Sequence, residues 1–183
     1  VCGTDAATLH LLTAYPDAKC LDGSPAGYYL RPGSNATKFL IFFEGGGWCY
    51  DDACEAPTAE GTIANCRERS RGRLGSSRGW ANPTTFDKGS LSHDATTNPA
   101  LHDATLVYVP YCDGTSFSGH QPATVDGLYF RGADILEALV DELKRTTAVQ
   151  DAASVIISGG SAGASTVLWH ADKIAARLGL RRG

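Results

Sequence analysis

The 183-residue chain contains no methionine and no long apolar run. A membrane-spanning helix needs about 20 consecutive, mostly apolar residues, whereas the longest apolar run, residues 39–43, is only as long as a strand. The chain opens on Val1 with neither an initiator methionine nor a signal peptide, so we expect a processed or trimmed N-terminus. From these absences we predict a protein without a membrane span.

An excess of basic residues is also absent. The chain carries 16 Lys and Arg against 20 Asp and Glu, which gives a formal net charge of -4. Binding to nucleic acid generally needs a basic surface, so the composition argues against a nucleic-acid partner. The hydrophobic fraction of 43% and the charged fraction of 20% are those of an ordinary globular domain.

Motifs for nucleotides and metals are lacking as well. The chain has neither a phosphate-binding Gly-Lys-Ser/Thr loop nor the Gly-x-Gly-x-x-Gly dinucleotide pattern. Its six cysteines lack the Cys-x2-Cys spacing of most zinc sites; they are Cys2, Cys20, Cys49, Cys54, Cys66 and Cys112. Their even number favours disulfides in an oxidising compartment over a metal site, and we expect neither metal nor cofactor.

One short motif agrees with an oxidising compartment. Asn35-Ala36-Thr37 is an acceptor sequence for N-glycosylation, which is used only on the secretory route. We therefore predict a secreted protein, with Asn35 as a glycosylation site.

The apolar pattern predicts an α/β fold. Residues 27–31, 38–43, 104–109 and 154–158 read as strands, and residues 132–145 and the segment after Gly163 read as helices. Alternation of strand and helix in the second half implies a mainly parallel sheet flanked by helices. The last helix is expected to bury one face; its members are Val167, Leu168, Ala171, Ile174, Ala175 and Leu178.

The clearest chemical motif is Gly-Gly-Ser-Ala-Gly at residues 159–163, here called the serine turn. It fits the Gly-x-Ser-x-Gly pattern and lies between a predicted buried strand and a predicted helix, where Ser161 would project above the sheet edge as a nucleophile. The alternative is a small-residue turn that only lets a helix pack closely on the sheet. The strand-to-helix context favours the nucleophile.

A second motif, Glu-Gly-Gly-Gly-Trp at residues 44–48, follows the predicted strand 38–43 and is here called the glycine loop. In α/β-hydrolases such a loop supplies a backbone N–H group to the oxyanion hole, and the residue after the nucleophile supplies another. The alternative is a flexible turn. We expect Glu44 to anchor the loop by hydrogen bonds rather than to act as a base.

Together these motifs resemble the pectin acetylesterase family, which also includes Notum-type deacylases. The resemblance includes residues 110–119, here called the Cys-Asp-Gly loop, and extends over residues 20–30 and 75–80. It implies a secreted serine esterase with an α/β-hydrolase fold, and residues 1–183 would form the N-terminal half of that fold as a single domain.

The resemblance also implies residue roles. Ser161 would be the nucleophile, and the backbone N–H groups of Gly47, Trp48 and Ala162 would form the oxyanion hole. The implied disulfides are Cys20 with Cys112 and Cys49 with Cys54, and Cys2 and Cys66 would pair with each other or with a group outside the chain.

The sequence after Ser161 offers no histidine at a suitable position to act as its base. In this fold the catalytic acid and histidine follow the serine, and His170 lies about 13 Å away along the predicted helix at 1.5 Å per residue. We expect the acid and the histidine beyond residue 183, on a second chain produced by cleavage or on a further part of the same polypeptide; a truncated, non-catalytic relative is the third alternative. His120 would have a structural or rim role, and Asp113 would contact substrate or form a turn.

The expected substrate is an acetyl ester of pectin or a related glycan. Alternatives are a fatty-acylated protein and a non-catalytic extracellular module that binds glycan. Five arginines lie within a predicted loop, where they are either solvated or in contact with an anionic polymer; they are Arg67, Arg69, Arg71, Arg73 and Arg78.

Overall fold

The computed structural model of the protein describes residues 6–51, 53 and 56–180. Within these residues the chain forms a sheet and three α-helices. The strands are β1 (Ala6–Leu11), β2 (Gly27–Arg31), β3 (Asn35–Phe43), β4 (Thr84–Thr85), β5 (Ala104–Val109) and β6 (Ser154–Gly159). The helices are α1 (Ala59–Arg69), α2 (Gly132–Thr146) and α3 (Ala162–Leu178).

The strands form one sheet in the order β4-β1-β2-β5-β3-β6. β3 pairs in parallel with both β5 and β6. β1 and β2 run antiparallel to their neighbours, so the sheet is mixed, and parallel pairing is confined to the three strands β5, β3 and β6. The α/β class expected from the sequence is confirmed, but the sheet is mixed rather than mainly parallel, because β4, β1 and β2 add three antiparallel pairs to the two parallel pairs of β3.

The core lies between the sheet and the helices. Every residue of β5 is buried, as expected of a central strand covered on both faces. The apolar residues of α2 predicted from helical spacing are all buried; they are Ile135, Leu136, Leu139, Val140 and Leu143. None of the described helices is long and apolar enough to cross a membrane.

α3 exposes one of the residues that the sequence pattern placed on its buried face. Ile174 and Leu178 are buried as expected, but Leu168 is 84% exposed. Thr166 takes part in the buried face instead, because its hydroxyl donates a hydrogen bond to the carbonyl of Ser116. The prediction for Leu168 was therefore wrong, because α3 turns Thr166, Ile174 and Leu178 toward the core and leaves Leu168 outside.

Two disulfides connect the described residues. Cys20 is bonded to Cys112, which is the pairing that the resemblance implied. Cys49 is bonded to Cys66 of α1. The expected Cys49–Cys54 pair is therefore wrong, because a cysteine sulfur forms a single disulfide and α1 brings the Cα of Cys66 to 5.0 Å from that of Cys49. Cys54 and Cys2 lie outside the described residues.

We expect the longer disulfide loop to contribute more to stability. By loop-closure entropy, the separation of 92 residues between Cys20 and Cys112 is worth about 5 kcal/mol and the 17 between Cys49 and Cys66 about 3 kcal/mol. Urea denaturation of the C20A/C112A and C49A/C66A variants measures both losses in free energy of unfolding. An equal or larger loss for C49A/C66A would contradict the entropic account.

Candidate active site

Three loops leave the sheet at the same edge. In the parallel register, Phe43 at the end of β3 faces Val109 of β5 on one side and Gly159 of β6 on the other. The glycine loop, the Cys-Asp-Gly loop and the serine turn therefore begin side by side at the carboxyl ends of the strands. This edge is where ligand sites of open α/β sheets are generally found.

Ser161 has a strained backbone in the serine turn. Its φ of 50° and ψ of -120° lie outside the regions that L-residues normally occupy. Such a conformation costs about 1–3 kcal/mol and persists only where the surroundings enforce it. Ser161 is exposed and directly precedes α3, so its hydroxyl lies next to the positive end of a helix dipole.

Two glycines permit the close approach that enforces this turn. A Cβ at Gly163 would lie 2.2 Å from the carbonyl oxygen of Phe43, so only glycine lets α3 begin against the end of β3. A Cβ at Gly45 would lie 2.2 Å from the carbonyl oxygen of Gly160 and 2.8 Å from Cβ of Ser161. The glycine loop is therefore in direct contact with the serine turn.

The backbone N–H groups expected to form the oxyanion hole have no acceptor among the described residues. No described residue accepts a hydrogen bond from the N–H groups of Gly47, Trp48 or Ala162. Trp48 is 47% exposed, whereas Ala162 is fully buried. N–H groups without a protein acceptor beside an exposed serine are available to a developing negative charge.

Glu44 anchors the glycine loop from below, as expected. One carboxylate oxygen accepts the N–H of Tyr111 at 3.0 Å, and the other accepts Arg73 Nη2 at 2.8 Å. The backbone N–H of Glu44 donates to the carbonyl of Val109 at 2.9 Å. A second anchor comes from α1, where the Arg69 guanidinium donates to the carbonyl of Gly46.

Ser116 connects three parts of the site and was not singled out by the sequence analysis. Its hydroxyl accepts the indole N–H of Trp48 at 2.7 Å, and its carbonyl accepts the Thr166 hydroxyl at 3.0 Å. Its N–H donates to the phenol oxygen of Tyr111 at 3.0 Å. Its place in the Cys-Asp-Gly motif was the available signal, but the pairing with Trp48, 68 positions away, needs the fold.

Asp113 forms a turn and is not exposed to a substrate. Its carboxylate is fully buried and accepts the N–H groups of Thr115 and Phe117, each at 3.0 Å. It also accepts the Thr115 hydroxyl. Burial raises the pKa of Asp113 despite these hydrogen bonds, which lower it. The alternative of a turn residue is the one that the geometry supports.

The histidines nearest the site serve other contacts. His120 Nδ1 lies 2.9 Å from Asp134 of α2, and His170 Nε2 lies 2.8 Å from the Ser118 hydroxyl. Because the Ser118 hydroxyl also donates to the carbonyl of Ser116 at 3.0 Å, His170 is left as the donor in this pair. Burial, with a smaller contribution from Lys173, lowers the pKa of His170. No described residue hydrogen-bonds to the Ser161 hydroxyl.

Asn35 begins β3 and is partly buried. Its side-chain nitrogen donates to Asp103 at 3.4 Å, and its side-chain oxygen accepts the N–H and hydroxyl of Thr37 at 3.1 and 3.0 Å.

No group of three or more His, Cys, Asp and Glu residues able to hold a metal occurs among the described residues.

Comparison with known proteins agrees with this architecture. The family model described as pectinacetylesterase matches residues 4–181. Pectin acetylesterase 5 of Arabidopsis thaliana is 39% identical over 160 residues, which are 85% of this chain and 34% of that protein. The palmitoleoyl-protein carboxylesterases NOTUM of Schmidtea mediterranea and Homo sapiens are 36% and 35% identical over 88% and 93% of this chain.

The chain spans 29% and 32% of the length of these two NOTUM proteins, so it corresponds to about a third of each relative. The match nevertheless includes all three loops at the carboxyl edge of β5, β3 and β6. Because the family model matches residues 4–181, which is nearly the whole chain, the chain belongs to the pectinacetylesterase family.

Proposed function

We propose that this chain carries the nucleophile and the oxyanion hole of a serine carboxylic ester hydrolase. The observation that carries the proposal is the strained, exposed Ser161 in contact with a glycine loop in which the N–H groups of Gly47 and Trp48 have no described acceptor. Strained backbone held by close packing is typical of functional sites, and this arrangement fits acyl transfer better than a purely structural turn.

The reaction proceeds in two steps. The Ser161 hydroxyl attacks the ester carbonyl, and the N–H groups of Gly47, Trp48 and Ala162 donate to the oxyanion. The alcohol leaves with the proton taken from Ser161, which leaves an acyl-enzyme. Water then attacks the acyl group, and the acid product leaves as a proton from this water passes to Ser161.

The proton acceptor is a histidine outside the 183 residues, held by an acid that is also outside them. The support for this part is that no described histidine hydrogen-bonds to the Ser161 hydroxyl, and that His120 and His170 contact Asp134 and Ser118 instead. The greater length of the relatives accommodates such residues, on the same polypeptide or on a second chain.

The substrate we propose is an acetyl ester on pectin or a related glycan, met outside the cell. The pectin acetylesterases among the relatives support the acyl group and the glycan. The disulfides of Cys20 with Cys112 and Cys49 with Cys66 support an oxidising compartment.

A fatty-acylated protein is the second candidate, and one observation favours it. Trp48 beside the serine turn and Leu168 and Trp169 on α3 are 47%, 84% and 59% exposed. Thr166 of α3 and Trp48 of the glycine loop both contact Ser116, and Leu168 and Trp169 follow Thr166 on α3, so exposed apolar side chains stand on two segments that meet at Ser116. An acyl chain lying along them would lose contact with water.

Replacement of Ser161 by alanine tests the nucleophile. In the full-length protein, S161A is expected to lower kcat/KM for p-nitrophenyl acetate at least about a thousandfold and to abolish labelling by a fluorophosphonate probe. The matched control is S154A, at the opposite end of β6, which keeps both. Full labelling of S161A would mean that another serine is the nucleophile, and no labelling of the folded wild-type protein would favour the non-catalytic glycan-binding module.

The length of the acyl group distinguishes the two substrates. An acetyl-specific enzyme is expected to hydrolyse p-nitrophenyl acetate with a higher kcat/KM than p-nitrophenyl octanoate, because a short pocket excludes the longer chain. The reverse order, together with a loss of octanoate preference in L168S, would support the fatty-acyl substrate. Acetate preference unaffected by L168S would support the glycan ester.

The Trp48–Ser116 hydrogen bond is expected to hold the glycine loop in place. Removing either partner in S116A or W48F should lower the free energy of unfolding by about 1 kcal/mol. If the bond is the cause, the double variant loses less than the sum of the single losses, with a coupling of roughly 0.5–1.5 kcal/mol by double-mutant cycle. Additive losses would mean that the two residues act independently.

A further inference from the structure

The five arginines between positions 67 and 78 have three separate roles. Arg67 pairs with Asp126, and Arg69 donates to the carbonyl of Gly46 in the glycine loop. Arg71, Arg73 and Arg78 instead line an open cleft of about 510 Å³. A cleft of this volume lies within the range of roughly 300–1,000 Å³ typical of small-molecule sites.

The polar groups of this cleft, here called the arginine cleft, are suited to an anion. Besides the three guanidinium groups, Ser70, Ser76 and Asp22 contribute side chains to its wall. The charged residues that line it are thus three cations and one anion. Guanidinium groups and hydroxyls are the donors that bind carboxylate and sulfate oxygens.

The one lining carboxylate is fully engaged with protein donors. Asp22 accepts the N–H and hydroxyl of Ser24 through one oxygen. Its other oxygen accepts the Ser76 hydroxyl at 2.7 Å and lies 3.2 Å from Arg78 Nε. Its charge is therefore offset by local donors, and it presents no free acceptor toward the cleft.

The three arginines retain donors for a ligand. Arg71 uses Nη1 to contact Glu68, Arg73 uses Nη2 to contact Glu44, and Arg78 uses Nε to contact Asp22. A guanidinium has five N–H groups, so most remain open to an additional acceptor. Their side chains are 68%, 57% and 77% exposed, so they can adjust to a bound group.

The arginine cleft adjoins the candidate active site. Arg73 contacts Glu44, the first residue of the glycine loop. The next residue, Gly45, is in contact with Ser161. The carbonyl of Arg73 accepts the indole N–H of Trp80 at 3.1 Å, which fixes the segment beside the loop. The glycine loop therefore links the arginine cleft to the serine turn.

We propose that the arginine cleft is a subsite for an anionic sugar unit of the polymer whose ester is hydrolysed at Ser161. The proposal rests on the proposed function and adds that the substrate polymer must carry a negative charge next to the esterified sugar unit. The charged group is a carboxylate, as in a polyuronate, or a sulfate, and both present the same oxygen acceptors to guanidinium groups.

The test is calorimetric titration of the full-length protein with unesterified tetragalacturonate, its neutral methyl-esterified form and a sulfated tetrasaccharide. These oligomers carry no acetyl ester, so binding is read independently of hydrolysis. We expect at least one charged oligomer to bind and R71Q/R78Q to bind it about tenfold more weakly. The control K88Q/K144Q removes the same charge from exposed sites elsewhere and should bind like the wild type.

Preference for the carboxylated or the sulfated oligomer supports the proposal and identifies the group. Equal binding of charged and neutral oligomers, unchanged affinity in R71Q/R78Q, or no binding would overturn it. If R71Q/R78Q does not fold, wild-type binding decides, because affinity for the charged oligomer must fall as salt is added. Hydrolysis of p-nitrophenyl acetate tests the role of Ser161, whereas the titrations test the arginine cleft. Failure of one proposal can therefore be distinguished from failure of the other.

Discussion

The contact between the serine turn and the glycine loop is the constraint on which the site depends. Gly160 donates its N–H to the carbonyl of Phe43 at 3.1 Å, and the absence of side chains at Gly45 and Gly163 allows both backbones to meet around Ser161. The parallel register of β3 and β6 places these segments opposite each other. This contact acts together with the first turn of α3, where the carbonyl of Ser161 accepts the N–H groups of Ala164 and Ser165, to hold Ser161 in a conformation that costs about 1–3 kcal/mol.

The glycine loop is held by groups distant in sequence, which explains how a glycine-rich segment is kept in one conformation. Glu44 joins it to Tyr111, Ser116 joins Trp48 to α3, and Arg69 joins it to α1. These contacts use side chains and the carbonyl of Gly46, and they leave the N–H groups of Gly47 and Trp48 without a described acceptor. A loop fixed in this way can present its donors without reorganisation, as oxyanion stabilisation requires.

Local patterns sufficed for the central strands and the serine turn. β5 and β2 were predicted with their observed bounds, because their apolar runs end at clear turn signals. α1 was missed because it buries only Cys66 and therefore has no apolar stripe. The Cys49–Cys66 pair depends on α1, and the exposure of Leu168 depends on the packing of α3, which buries Thr166, Ile174 and Leu178. Both depend on tertiary packing that a local pattern does not contain.

Glu44 belongs both to the anchored glycine loop and to the edge of the arginine cleft. An anion bound at Arg73 would use the guanidinium N–H groups that the pair with Glu44 leaves open. Glu44 is held independently of this pair, because its other carboxylate oxygen accepts the N–H of Tyr111 and its own N–H donates to Val109. Its side chain is only 14% exposed, against 57% for Arg73. The arginine is therefore the partner that can move, and the cleft can take a ligand without displacing the oxyanion donors.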